Sequence, residues 1–395
     1  MRTDIAILGF GVVGAGTAKV LEMNKEEIAG RTGTEIYVKH ILDLRDFPDS
    51  PFADRVTHNA DDVFGDKDIK IAVETIGGAK IAYEYTKRAL SAGITVVTSN
   101  KELVSTHGVE LLRLAKENGC QYMFEAAVGG GIPIIRPLYR CLAANKIVRI
   151  AGIVNGTTNY ILTQMKENGI SLEEAVSQAQ QNGYAEANPA ADLEGIDAQR
   201  KLSILSTIAL DGTYVAPSAI DAKGITGITT DDIEFAKKID CELKLIALFE
   251  NKEGSKPVAY VAPTYVSRSS LIASVEGVFN AIMVEGNALG ESLFYGQGAG
   301  AVPTASAVCG DILEAAAGDK MADSRLWEDK GEAIAAYDEV KASIVVRAPE
   351  IPVTAFSEYD TVHLDGAVIV NSIAHKDIDR LISGIPGAKW MHYLK

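Results

Sequence analysis

Cysteine, histidine and tryptophan are scarce in this chain of 395 residues, which holds four, six and two of them. Cys120, Cys141, Cys241 and Cys309 lie far apart, with no CxxC and no metal spacing. They predict reduced, mostly buried thiols of a cytoplasmic protein and exclude a disulfide framework. The histidines do not cluster, which speaks against a zinc site. Positive charge is also in short supply: the formal net charge is −15. With no basic run, the chain lacks what phosphate-backbone binding requires, so nucleic acid is not expected as a partner. No apolar stretch reaches the roughly 18 residues of a membrane span. Asp4 interrupts the first apolar segment and no small-residue cleavage site follows, so no signal peptide is expected. The remainder, 47% hydrophobic and 23% charged, is globular rather than disordered, and the length suits two or three domains.

From residue 4 to about 128, short apolar runs alternate with amphipathic stretches. The runs are Ile5–Leu8, Ile36–Leu42, Ile69–Val73, Ile94–Thr98 and Gln121–Phe124; between them Val13–Ile28, Lys80–Ala92 and Val109–Asn118 predict helices. This alternation predicts a parallel sheet flanked by helices. The first run feeds directly into Gly9, Phe10, Gly11, Val12, Val13 and Gly14. That is GxGxxG with a strand before it and a helix after it. The glycines permit a tight turn, a close approach of the backbone to a pyrophosphate and close helix packing, while the helix N-terminus faces the phosphates. At the end of the second run, Asp43 suits a ribose 2′-hydroxyl and Arg45 a 2′-phosphate, which leaves NAD and NADP open. The same two residues also describe an exposed turn pair. Lys101 follows the strand ending at Thr98, where the crevice of an open parallel sheet lies. A surface lysine capping a loop reads equally well there.

A strand then runs into Val128, Gly129, Gly130, Gly131, Ile132 and Pro133. Such a loop offers main-chain carbonyls to a hard cation, or serves as a hinge. Asn155 to Tyr160 reads as a turn capping a helix, and Ser171-Leu172-Glu173-Glu174 as a capping box for a second helix that stops at Asn182-Gly183. The densest polar cluster follows: Glu186, Asp192, Glu194, Asp197, Arg200 and Lys201. Asp197 and Lys201 are four apart on a predicted helix from 194 to about 210, so they share a face. Carbonyl reduction by hydride needs a proton donor, and a lysine oriented by a carboxylate can serve. Carboxylates such as Glu186 or Asp192 could hold a substrate ammonium. The alternative is a solvated helix ion pair. Near 296–303 a glycine-rich turn precedes a helix with Pro303 near its start.

Taken together, the Gly9–Gly14 loop, Ser99-Asn100-Lys101, Glu125 to Pro133, Asn155 to Tyr160, Gly183 to Glu186, Asp192 to Asp197 with Lys201, and Gly298 to Ala301 before Pro303-Thr304 resemble homoserine dehydrogenase, collinearly over about 4–312. The resemblance implies an α/β fold. It consists of an N-terminal Rossmann-type dinucleotide-binding domain over 1–130, completed by a helix at about 303–320, and an α+β catalytic and dimerisation domain with a mixed sheet over 131–302. A short C-terminal extension, 321–395, is not a clear full ACT domain. The resemblance further implies reversible NAD(P)-dependent reduction of L-aspartate 4-semialdehyde to L-homoserine in threonine and methionine biosynthesis. Lys201 would donate the proton, Lys101 would sit beside substrate and nicotinamide, and Glu186, Asp192 and Asp197 would bind the substrate amine or orient Lys201. Gly183 and Gly298 would lie against the cofactor. Glu125, Val128, Gly130 and Ile132 would hold a sodium ion, mainly by carbonyl oxygens. A homodimer or higher homo-oligomer is expected, with a small-molecule substrate. The rivals are another NAD(P)-dependent oxidoreductase on a small amino-acid aldehyde or alcohol, and a non-enzymatic dinucleotide sensor. Aspartate-semialdehyde dehydrogenase chemistry needs a nucleophilic cysteine, for which no cysteine here has the setting.

Overall fold

A computed structural model describes residues 2–318, 326–352 and 354–395. Met1, the expected helix end at 319–320, and positions 321–325 and 353 of the expected extension lie outside the described residues. The chain divides into two units. One comprises Met1–Ala144, Thr207–Tyr214 and Gly296–Gly331; the other comprises Asn145–Ser206, Val215–Tyr295 and Glu332–Lys395.

Among the described residues the first unit holds six strands: β1 (Arg2–Leu8), β2 (Glu35–Leu42), β3 (Val56–Thr57), β4 (Ile69–Glu74), β5 (Thr95–Thr98) and β6 (Tyr122–Met123). They pair in parallel in the order β3-β2-β1-β4-β5-β6. β1, β4 and β5, at the centre, are largely buried runs rich in Ile and Val, as expected where helices cover both faces of a parallel sheet. The helices are α1 (Val12–Met23), α2 (Lys25–Thr32), α3 (Ala60–Phe64), α4 (Lys80–Ser91), α5 (Lys101–Glu117) and α6 (Ile135–Tyr139), together with the helix Ala301–Ala316. Ile5, Ile7, Ile71, Val73 and Val97 form a core with Ala18 and Leu21 of α1 and with Ala305, Val308 and Ile312 of the helix Ala301–Ala316. The single helix expected over 13–28 is broken at Asn24, which closes α1 and opens α2. The helix expected from 109 begins at Lys101, because Asn100 caps it: the Asn100 side chain accepts the Leu103 N–H.

The second unit is built on a mixed sheet. Its elements in chain order are β7 (Ile147–Ile153), α7 (Gly156–Asn168), α8 (Leu172–Gln181), α9 (Ala190–Leu193), α10 (Ile196–Ala209), β8 (Asp221–Ala222), α11 (Thr230–Lys238), β9 (Cys241–Glu250), β10 (Val258–Ser267), β11 (Phe279–Gly286) and β12 (Gly290–Gln297). After these come β13 (Lys341–Arg347), β14 (Thr361–Leu364), β15 (Ala367–Ala374), the helix His375–Ile382 and β16 (Lys389–Leu394). The strand order is β12-β11-β7-β9-β10-β16-β13-β15-β14, with β8 paired to β10. The helix expected over 194–210 is α10, beginning at Ile196 and carrying Asp197 and Lys201; the short α9 before it, which was not expected, carries Asp192. The C-terminal strands extend this same sheet, because β16 pairs in parallel with β10 and antiparallel with β13. Residues 332–395 therefore group with the second unit. Among the described residues of 348–360 no helix stands, so β13, β14, β15 and β16 are accompanied by one helix, His375–Ile382. Cys120, Cys241 and Cys309 are buried and Cys141 is exposed; all four are free.

Gly14 is the tightest point of the first turn. A Cβ there would lie 2.1 Å from the Gly9 carbonyl oxygen and 2.8 Å from Thr75 Oγ1. Gly14→Val should therefore destabilise the protein by about 1–3 kcal/mol through overpacking and weaken dinucleotide binding. Thermal melting with and without NADPH checks this; a variant that melts and binds like the parent would contradict it.

Candidate active site

The order of the first sheet reverses between β1 and β4. In open α/β sheets the ligand crevice lies there, at the carboxyl ends of the strands. Gly9 to Gly14 leave β1 at that point. Phe10 is buried against Phe47 and Phe52 and so fixes the loop from below, whereas Val12 is exposed at the start of α1 and Val13 is half-buried beside the core. The Phe10 N–H donates to Asp43 Oδ2 (2.7 Å), tying the glycine loop to the end of β2. Arg45 grips the same carboxylate, Nε to Oδ1 and Nη2 to Oδ2 at 3.0 Å each. Arg45 foremost, then the Phe10 and Arg45 amides, hold Asp43 down to about 2 despite its burial. Lys101 is half-buried as the first residue of α5. The Asn100 side chain that caps this helix also donates to the carbonyls of Ile76 (3.3 Å) and Gly78 (2.8 Å), beyond the end of β4.

The loop after β6 is fixed by Glu125. Its carboxylate accepts the N–H groups of Ile134, Ile135 and Arg136 at 2.6–2.8 Å, at the start of α6. Its own N–H donates to Asp311 Oδ2 (2.8 Å), and Arg136 bridges Asp311 and Glu314. Burial first, and the Glu125 charge next, push Asp311 up to about 7. The Glu125 carboxylate is thus committed to amides. The carbonyl oxygens of Val128, Gly130 and Ile132 accept no hydrogen bond from a described residue. Unsatisfied buried carbonyls of this kind suit a hard cation, so the loop fits the expected sodium ion through its main chain. Gly130 (φ +55) lies against the chain just before the helix Ala301–Ala316: a Cβ there would come within 2.3 Å of the Gly298 carbonyl oxygen.

In the second unit the chemistry gathers where β7 ends. Lys201 Nζ donates to Asp197 Oδ2 and to the Val154 carbonyl, each at 2.7 Å. Both side chains are nearly enclosed, with 11% and 6% of their surfaces exposed. Asn155 caps α7, its Oδ1 accepting the Thr158 N–H (2.8 Å). Its Nδ2 donates to Asp192 Oδ1 (2.7 Å) and Asp197 Oδ2 (2.8 Å). A buried lysine oriented by a carboxylate and a carbonyl, with a second carboxylate at hand, can deliver a proton to an oxygen and attract an ammonium.

Among the expected residues of this unit, Asp192, Asp197 and Lys201 come together. Glu186 does not join them: it is exposed after α8, and its carboxylate makes no hydrogen bond or ion pair with a described residue. Gly183 is exposed and closes α8 in the left-handed conformation (φ +74). Asn155 is the residue that sequence reasoning missed. Its place at a helix start was legible, but its amide bridges to acids 37 and 42 residues away, a pairing without a local signal.

A dinucleotide cradle in one unit and a buried lysine acid in the other are the equipment of an NAD(P)-dependent oxidoreductase. Two family models match, one described as homoserine dehydrogenase, NAD binding domain, over 9–125 and one as homoserine dehydrogenase over 133–313. The homoserine dehydrogenase of Neisseria gonorrhoeae is 42% identical over 315 residues, which cover 79% of this chain and 72% of that one. The crystal structure of a homoserine dehydrogenase from Thiobacillus denitrificans superposes with a TM-score of 0.88 at 33% identity, over 100% of this chain and 98% of that one. A hyperthermophilic archaeal homoserine dehydrogenase in complex with NADPH gives 0.68 at 29% identity, over 81% and 99%. The chain belongs to the homoserine dehydrogenase family.

Asn155→Asp would keep the helix cap but set a third carboxylate against Asp192 and Asp197. Like charges raise carboxyl pKa values in the folded state. The folded form then holds more protons than the unfolded one above about pH 4, so the variant should lose stability relative to the parent as pH rises from about 5 to 8. Urea unfolding at several pH values checks this; a constant difference would contradict it.

Proposed function

We propose that the protein catalyses the reversible NAD(P)-dependent reduction of L-aspartate 4-semialdehyde to L-homoserine, a step of threonine and methionine biosynthesis. The observation that carries this reading is the buried Lys201 ammonium, held by Asp197 and the Val154 carbonyl. The dinucleotide supplies and accepts the hydride. Lys201 Nζ gives its proton to the aldehyde oxygen during reduction and recovers it during oxidation. Asp197 keeps that ammonium oriented, and Asn155 holds Asp197 and Asp192 in register. Asp192 binds the substrate ammonium, and Glu186, exposed on the loop after α8, offers a second carboxylate for it. Lys101 steadies substrate and nicotinamide.

Residues 1–130 with the helix that follows Gly300 form the NAD(P)-binding domain, and 131–302 form the catalytic and dimerisation domain. Gly9 to Gly14 take the pyrophosphate, Gly183 and Gly298 lie against the cofactor, and Asp43 and Arg45 meet the adenosine ribose. With Arg45 folded onto Asp43 the carboxylate suits a ribose hydroxyl; with Arg45 released, the guanidinium suits a 2′-phosphate, so both NAD and NADP fit. The carbonyls of Glu125, Val128, Gly130 and Ile132 would hold a sodium ion. The protein works in the cytoplasm as a homodimer or larger homo-oligomer. No helix of the described residues is long and apolar enough to cross a membrane.

Lys201→Ala should lower turnover of aspartate semialdehyde with NADPH by about 10²–10⁴-fold while leaving NADPH affinity within a few-fold of the parent. Steady-state rates with fluorescence titration of NADPH check this. Undiminished turnover would remove the proton-donor role, and a parent protein that binds cofactor without turning over the aldehyde would favour the dinucleotide sensor.

A further inference from the structure

Glu74 is an unusual acid. It ends β4, has 0% of its surface exposed, and none of the roles above uses it. Its Oε1 accepts the Ile76 N–H (2.7 Å), and its Oε2 lies 2.6 Å from Thr98 Oγ1 at the end of β5. Thr98 Oγ1 in turn accepts the Asn100 N–H (2.9 Å). The donors therefore run in one direction, from Asn100 through the Thr98 hydroxyl to the carboxylate. In a protonated Glu74 one hydrogen, its own or that of the Thr98 hydroxyl, would be left without an acceptor among the bonds of the described residues. Hydrogen bonding thus asks for an ionised Glu74.

Burial asks for the opposite. Leu8 lies opposite Glu74 on β1 and Thr98 on β5. Tyr122 on β6 is the titratable group in electrostatic reach, and its hydroxyl is buried without a hydrogen-bond partner. Neither α4 nor the helix Ala301–Ala316, both packed on β4, brings an ionic group that shifts Glu74. Desolvation, opposed by the bonds to Thr98 and Ile76, pushes the carboxyl up to about 7. Burial outweighs the bonds to Thr98 and Ile76, so the carboxyl lies well above the ordinary carboxylate range.

The sheet order says what lies above. With the pyrophosphate on the loop after β1 and the adenosine ribose at the end of β2, the nicotinamide end of a bound dinucleotide would lie on the other side of β1, toward β4, β5 and β6. The oxidised ring is a cation and the reduced ring is neutral. A buried carboxylate with no cation of its own feels that difference strongly, because the protein interior screens it weakly. We propose that Glu74 is a positioning residue that makes the first unit distinguish the two redox states of its dinucleotide: ionised, it favours the oxidised form, and it takes a proton from solvent when the reduced form replaces it. The same proton changes the Thr98–Asn100 chain, and with it the seat of Lys101.

This inference rests on dinucleotide binding by the first unit. Calorimetric titration of the full chain with NAD⁺ and with NADH at pH 6, 7 and 8, in buffers of different ionisation enthalpy, tests both. The ratio of the NADH Kd to the NAD⁺ Kd should rise about fivefold or more from pH 6 to 8, since a pKa displaced by one unit is worth about tenfold in binding. At pH 7, NAD⁺ binding should release protons. Glu74→Gln should hold the ratio constant within about twofold and abolish the release. Thr98→Val, which removes one donor from the carboxylate, should move the midpoint of the change to higher pH. A parent protein whose ratio is independent of pH, or a Thr98→Val midpoint that does not move, overturns the role of Glu74. A chain that binds neither form overturns the dinucleotide reading instead.

Discussion

A lysine ammonium almost closed off from water is the feature on which the second unit turns. Such a group must be given acceptors at once, because an uncompensated buried charge costs about 3–5 kcal/mol when its partner is removed. Lys201 receives Asp197 from one turn earlier on its own helix and the Val154 carbonyl from the end of β7. Asp197 then needs a further donor, which Asn155 provides while it caps α7. One requirement thus fixes the relation of β7, α7, α9 and α10. The break at Glu194-Gly195 serves it too, since it lets Asp192 reach Asn155 from a separate short helix.

The first unit is governed by a different constraint, the backbone amides and carbonyls that a loop must satisfy at the carboxyl edge of a parallel sheet. Here carboxylates do the satisfying. Asp43 serves the glycine loop, Glu74 serves the ends of β4 and β5, and Glu125 serves the start of α6. Each acid is anchored to backbone N–H groups, so each sets a loop rather than merely pairing with a surface cation. The carbonyls of Val128, Gly130 and Ile132 are left over by this arrangement, which is why the main chain of that loop suits a hard cation.

Much of this was legible in the sequence wherever the signal is local. The glycine loop, the Asp197–Lys201 spacing and the Ser171 capping box each depend on residues a few positions apart, and each is found as read. The helix break at Asn24 was not legible, because the helical pattern read over Val13–Ile28 runs on through it. The partners of Asn155 and of Glu74 were hidden for another reason. Asn155 reads as a helix cap, and Glu74 merely follows the apolar run Ile69–Val73; what distinguishes them is contact with residues 24–42 positions away. The strands β12 and β14 carry weak local signals, because their faces are partly exposed and of mixed composition.

The proposed reaction requires Lys201 Nζ to exchange a proton with the substrate oxygen. The most direct measurement is the pH dependence of kcat/KM for homoserine oxidation in the parent protein. Oxidation requires the neutral amine as base, so the rate should climb toward alkaline pH as the ammonium gives up its proton. A profile that stays flat from pH 7 to 10 would contradict the account.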